Sequence, residues 1–259
     1  MSGSSPGIGN ENVTLITGAS QGIGYSLARQ LARRGEAVAV LARRRPELDE
    51  LVARIRADGG RAMAVAADVT DRTALTAAVD RVRAEFGPVT RLVANAGGGT
   101  PTHVSAYDAE TIERTIRLNL IGTANAVGAV IDDMLARRQG HLVAMGSLAA
   151  MRGLPTAAAY SAAKAGVANF MESLAIDLRG SGVDVTLLEP GFIARPGARK
   201  RRLRMPMEAA TERMAAAILA RRRRWRGPSS LVVAAGILRL LPFSLYSRVL
   251  ANQGRPADA

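Results

Sequence analysis

The chain contains no cysteine. That excludes a disulfide framework and thiol chemistry. Histidine is nearly missing too: His103 and His141 are the only two. A His-rich metal site is therefore not expected, and both histidines read as structural or exposed. Aromatic residues make up 3% of the chain, so the core must be built from Ala, Val, Leu and Ile. Acidic residues are outnumbered, 22 against 35 basic, which leaves a net charge of +13. Long unbroken apolar runs are absent. Leu231 to Leu250 comes closest, but Arg239, Pro242 and Arg248 interrupt it, and a spanning helix needs about 20 predominantly apolar residues. Met1 to Asn12 is polar and Ser/Gly-rich and lacks the apolar stretch of a signal peptide. We expect a flexible N-terminus over residues 1–12 and residence in the cytoplasm.

What is present is a regular alternation. No Pro/Gly/Ser linker divides the 259 residues, so one domain over 1–259 is expected. Short β-rich runs predict strands at 13–17, 37–41, 62–66, 91–94, 141–145 and 183–188, with a seventh at 231–235. Helical patterns fill 22–34, 46–57, 71–86, 116–138 and 157–179, several stopped by glycine, as at Gly35 and Gly59-Gly60. The remainder, 236–259, reads as an apolar C-terminal helical extension. Continuous apolar strands, each followed by a helix, mean a parallel sheet covered on both faces. The expected fold class is α/β: a Rossmann-type, doubly wound, seven-stranded sheet of strand order 3-2-1-4-5-6-7.

The turn after the first strand reads Thr17-Gly18-Ala19-Ser20-Gln21-Gly22-Ile23-Gly24. Glycines at Gly18, Gly22 and Gly24 let the backbone turn tightly and approach a pyrophosphate. The N-terminus of the next helix, with Ser20, Gln21 and Ile23 around it, then aims N–H groups at the phosphates. In such folds an acid about 20 residues past the glycines binds a free ribose 2′-hydroxyl. Here the second strand ends in Ala42-Arg43-Arg44-Arg45. Arg43 and Arg44 suit a 2′-phosphate, which an acid would repel, so NADP(H) is expected over NAD(H). Arg45 reads as solvated.

Thirty-three of the 35 basic residues are arginine; the lysines are Lys164 and Lys200. Lys164 stands four residues after Tyr160, one helical turn, so phenol and ammonium share a face. Ser147 lies thirteen residues before the tyrosine. A point charge that must fit beneath a phenol cannot be replaced by a planar guanidinium.

With Asp68-Val69, Asn95-Ala96-Gly97, Asn119 and Pro190-Gly191 added in that order, residues 13 to about 235 resemble the short-chain dehydrogenase/reductase family. The resemblance implies a ketone–secondary alcohol oxidoreductase. It makes Tyr160 the general acid, Lys164 the charge that favours phenolate and grips the nicotinamide ribose, Ser147 a donor to the substrate carbonyl, and Asn119 the holder of a water linking Lys164 to solvent. Asp68 would accept from the adenine amine, or alternatively cap the third helix. Asn95 would hold the sheet together more than touch cofactor. Val69, Ala96, Gly97, Pro190, Gly191 and Ile193 complete the cofactor contacts that the resemblance implies. The threonine that often follows Pro-Gly in the family is absent from Phe192-Ile193-Ala194-Arg195-Pro196, which leaves the Ile193 backbone, and Arg195, to serve that end.

Residues 192–207 form the expected substrate lid. Cations at Arg195, Arg199, Lys200, Arg201, Arg202 and Arg204 interleave with Phe192, Leu203, Met205 and Met207. That mixture suits a lipophilic substrate with an anionic head, or a lid resting on an anionic membrane surface. A 3-oxoacyl, sphingoid-like or steroid-like ketone is expected. The alternatives are a soluble reductase of a small polar or polyketide-derived ketone, and a silent regulator binding nucleic acid through Arg221–Arg224 and Trp225. The intact Ser147/Tyr160/Lys164 set argues against the last. A homodimer or homotetramer is the assembly the resemblance implies.

Overall fold

Each strand feeds a helix, in chain order. β1 (Val13–Thr17) leads into α1 (Gly22–Ala32), β2 (Ala37–Ala42) into α2 (Arg45–Ala57), and β3 (Ala62–Ala66) into α3 (Arg72–Phe86). β4 (Arg91–Ala94) is followed by α4 (Ala109–Ile116), α5 (Gly122–Gly128) and α6 (Ile131–Ala136), and β5 (Gly140–Met145) by α7 (Ala158–Asp177). After β6 (Val183–Pro190) come the short pair β7 (Ile193–Ala194) and β8 (Met205–Pro206), then α8 (Met207–Leu219), β9 (Arg224–Gly227), α9 (Ser229–Leu240) and α10 (Phe243–Leu250). This computed structural model describes residues 12–194 and 204–250. The expectations for residues 1–11, for Arg195, Arg199, Lys200, Arg201, Arg202 and Leu203, and for 251–259 lie outside the described residues.

The main sheet is parallel, in the order β3-β2-β1-β4-β5-β6-β9. Counted within that sheet, it is the expected 3-2-1-4-5-6-7 arrangement. Its strands carry apolar side chains on both faces, as a sheet covered on both sides requires. Leu15, Leu142 and Ala144 pack with α3, α5 and α7 residues in one core layer. Their alternating neighbours Ile16, Val143 and Met145 pack with α1, α2 and α8 residues in the other.

Two expectations fail. Residues 231–235 are not a strand; they lie inside α9, and the seventh strand is the arginine-rich β9. Val232 and Val233 suggested a strand, but Pro228 starts a helix whose Leu231 and Val232 N–H groups bond back to its carbonyl. β9 forms against propensity because β6 supplies the partners: Arg224 and Arg226 both pair with the buried carboxylate of Glu189. Tertiary context overrides β-propensity here.

The helix expected over 116–138 is also not continuous. It starts earlier, at Ala109 behind the N-cap Asp108, and a π turn at Arg117–Ile121 interrupts it. Asn119 sits inside that turn. Its side-chain amide donates to the Thr115 carbonyl at 2.8 Å and to the Gly98 carbonyl at 2.6 Å. A side chain that competes for backbone acceptors disturbs the regular ladder.

Candidate active site

The site assembles at the carboxyl ends of β1, β4 and β5, where doubly wound sheets bind their ligands. Gly18 takes φ +66, and a Cβ there would stand 2.6 Å from the Cα of Ala96. Only glycine lets the first turn pack this closely on the end of β4. Asn95 locks the arrangement. Its side chain donates to the carbonyls of Thr17 (2.9 Å) and Gly18 (3.2 Å), while the Thr17 hydroxyl accepts from the N–H groups of Asn95 and Ala96. Asn95 thus holds the strands together; the Thr17 hydroxyl is a supporting group that sequence reasoning did not single out.

Helix α1 opens at Gln21, in extended backbone, with no side-chain cap. A Cβ on Gly22 would meet nothing within 4 Å. An uncapped helix start facing open space fits a phosphate group. Arg44 lies against this turn, donating to the Ser20 hydroxyl and the Gln21 side-chain oxygen, both at 3.0 Å, and pairing with Glu47. Arg43 is exposed, 3.7 Å from Asp68. Arg45 is paired rather than simply solvated: it opens α2 and bonds Asp49. Asp68 does not cap α3; Asp71 does, accepting from the Ala74 N–H. Asp68 instead accepts from the Thr70 backbone and hydroxyl, both at 2.9 Å. Val69 is buried, and its carbonyl accepts from Asn125.

Ser147 ends the β5 segment and turns the chain, its hydroxyl accepting from Ala149 N–H at 3.1 Å. Tyr160 and Lys164 occupy successive turns of α7, with the ammonium 5.7 Å from the phenol ring centroid. Lys164 is buried and donates to the Met145 carbonyl at 2.8 Å. Asn119 joins them from the π turn. A Cβ on Gly97 would lie 2.6 Å from the Asn119 side-chain oxygen and 3.1 Å from the Lys164 nitrogen. The structure therefore brings Ser147, Tyr160, Lys164, Asn119 and Gly97 into one cluster. Pro190 and Gly191 pair with the end of β9, and Ile193 pairs with Met205 in the small two-stranded sheet.

Burial dominates the electrostatics. It lowers Lys164 from 10.5 to about 8. It pushes the Tyr160 phenol up, and a hydrogen bond from Ser147 opposes the rise. One of the three Lys164 N–H donors is directed to the Met145 carbonyl. A phenol so held keeps its proton at neutral pH.

A cavity of about 580 Å³ opens under the loop that joins Ser147 to Tyr160. The Gly153–Thr156 loop, Val104, Tyr107, Phe243 and Tyr246 line it, mostly with apolar surface. Nothing local in the sequence linked the C-terminal helix to this cavity. Arg152 and Tyr246 make that link through tertiary contacts described below.

A parallel sheet in this order, with a glycine-rich first turn, defines a Rossmann-type α/β protein. The model of the short chain dehydrogenases matches residues 12–206. Among proteins similar to the chain is an uncharacterized oxidoreductase of Myxococcus xanthus, 44% identical over 179 residues, covering 69% of this chain and 71% of that one. A 3-oxoacyl-[acyl-carrier-protein] reductase of Synechocystis is 39% identical over 183 residues, covering 70% and 74%. A metagenomic short-chain oxidoreductase solved in complex with NADP superposes with a TM-score of 0.73 at 29% identity, covering 84% and 97%. The chain belongs to the short-chain dehydrogenase family of oxidoreductases.

Proposed function

We propose that the chain is a single-domain NADP(H)-dependent reductase that interconverts a lipophilic ketone and its secondary alcohol. The observation that carries this is the meeting of Ser147, Tyr160 and Lys164 beside the uncapped start of α1. When bound, the nicotinamide supplies the hydride; the protein aligns and protonates. Tyr160 delivers its phenolic proton to the substrate oxygen; burial keeps that proton in place at neutral pH, and the Lys164 ammonium favours the phenolate once the proton has left. Ser147 donates to the same oxygen and stabilises the charge developing there. Lys164, mostly charged below about pH 8, stabilises the phenolate left behind and holds the cofactor's ribose. Asn119 keeps the Gly97–Gly98 backbone against Lys164.

Arg44, fixed beside the glycine turn, and the exposed Arg43 support a 2′-phosphate, and so NADP(H) over NAD(H). The NADP bound by the metagenomic relative is in keeping with this. The apolar cavity supports a lipophilic substrate over a small polar one. Exposed Ile121, Leu135 and Ile176 support pairing of two copies across the central helices. Among the described residues no helix is long and apolar enough to cross a membrane.

The nucleic-acid reading is disfavoured, since Trp225 packs against the core, Arg221 pairs with Asp184 and Arg224 with Glu172 and Glu189. The decisive experiment compares kcat/KM for NADPH and NADH on ketones of graded chain length. NADPH should be preferred by roughly tenfold or more, and Arg43→Ala with Arg44→Ala should erase the preference. A preference for NADH overturns the cofactor assignment.

A further inference from the structure

Helix α9 turns its apolar side outward. Val233, Ile237 and Leu240 recur at spacings of four and three, one helical face, and are 62%, 59% and 85% exposed. None of the twelve residues of α9 is buried. Phe243, 76% exposed, carries the stripe onto α10. A surface helix ordinarily turns such a stripe to the core, and a contiguous outward one marks a contact surface.

The helix pair is nonetheless fixed to the body of the protein. Arg152 donates to the Leu238 and Leu241 carbonyls, each at 2.7 Å, satisfying acceptors that a helix end leaves open. Its guanidinium lies 3.9 Å over the Tyr246 ring, and the Tyr246 hydroxyl donates to the Gly153 carbonyl. Three groups thus clasp α9 and α10 to the loop between Ser147 and Tyr160. The inner side of α10 lines the cavity with Tyr246 and Leu250, while Phe243 stands at the cavity's exposed rim. Its outer side is offered to whatever the protein touches.

Charge selects the occupant. Between Glu212 and Asp258 the sequence has no acidic residue and nine arginines. Arg239 and Arg248 stand on the helix pair itself, both exposed. An apolar stripe beside cations, with no carboxylate near in sequence, matches a surface that is apolar below and anionic above. A two-fold contact between copies would instead set these arginines against their own kind, in molecules of net charge +13.

We propose that α9 and α10 form an interfacial docking surface that lies on an anionic lipid bilayer. Neither helix spans it: no helix among the described residues is long and apolar enough. Val233, Ile237, Leu240 and Phe243 enter the boundary between head groups and acyl chains, while Arg239 and Arg248 meet the phosphates. The surface does not depend on the redox reading, and its test involves no turnover.

The test is co-sedimentation of the full chain with vesicles of phosphatidylcholine alone, and with about a third phosphatidylglycerol added. Binding to the anionic vesicles, weakened by salt, is expected. The Leu240→Ser/Phe243→Ser variant should bind at least about tenfold more weakly. Both side chains are exposed, so an unchanged thermal midpoint and circular dichroism should show that this variant folds. Arg239→Gln/Arg248→Gln should lower binding to anionic vesicles alone. Absence of wild-type binding, equal binding to both vesicle types, or undiminished binding by the Leu240/Phe243 variant overturns the proposal. So does a sedimentation velocity experiment in which that variant splits a wild-type oligomer, since the face would then join copies of the chain.

Discussion

Lys164 should weaken the folded protein while serving its chemistry. Its ammonium is buried, with the Met145 carbonyl as its hydrogen-bond acceptor. Burial lowers its pKa from 10.5 to about 8. The unfolded chain therefore binds this proton more tightly, and the folded state carries a penalty at neutral pH. At about 1.4 kcal/mol per unit, a shift of about 2.5 units amounts to roughly 3 kcal/mol. Replacing the residue by Met keeps its length and removes the charge. It also leaves the Met145 carbonyl without that partner, at a cost of about 1–3 kcal/mol. The net change near pH 7 is thus small, between neutral and about 2 kcal/mol of gain.

The pH dependence separates the two contributions, because the carbonyl does not titrate. Stability tied to a lowered lysine is lost below the folded pKa and recovered as pH rises towards the unfolded one. Between about pH 7 and about pH 9.5 the wild type should gain roughly 2 kcal/mol relative to Lys164→Met. Urea unfolding of both proteins at the two pH values measures this, and NADPH oxidation by the same samples should show the variant inactive. If the stability difference does not move with pH, or if Lys164→Met is destabilised by several kcal/mol throughout, the lysine is an ordinary structural cation and the reasoning fails.

Tyr160→Phe removes the proposed proton donor and little else. Turnover should fall by about a hundredfold or more while NADPH binding, followed by nucleotide fluorescence, persists; a variant keeping a tenth of its activity would take Tyr160 out of the mechanism. His141 should make the fold acid-sensitive. Burial, then Arg91 and Arg221, lower its pKa from 6.5 to about 3, and its neighbours fix a neutral tautomer. Arg91 donates to Nδ1 at 3.1 Å. Thr186, whose own proton goes to the Arg222 carbonyl, accepts from Nε2. The unfolded chain takes up a proton below about pH 6.5 that the folded one refuses, so stability falls from there towards pH 3. About 2 kcal/mol should be lost by about pH 5. Urea unfolding of His141→Gln should show a shallower acid dependence, and an imidazole that titrates near 6.5 by NMR contradicts the account.

Much of the site was legible because its demands are local. A tight phosphate-binding turn needs glycines at set positions, and Gly18 and Gly22 have the positive φ that such a turn uses. Tyr160 and Lys164 share a face because both lie on one helix. Asn119 was legible as a polar residue in a helix, but not as the centre of a π turn. That depends on Gly98, which β4 delivers from 21 residues away. The alternative reading of Asp68 as a helix cap fails because Asp71 stands nearer the first turn of α3 and takes that place.

The sequence by itself determined the alternation of strand and helix, the two-sided burial of the sheet, the glycine turn and the spacing of phenol and ammonium. Backbone sterics and side-chain periodicity act over a few residues, so a linear chain displays them. Tertiary structure alone decided that Arg224–Gly227 would be the seventh strand, since the Glu189 carboxylate that holds its arginines belongs to β6. It also decided that Arg152 would clasp the C-terminal helices, through carbonyls 86 and 89 residues away. Partners that distant meet only when the chain is folded, and no local pattern announces them.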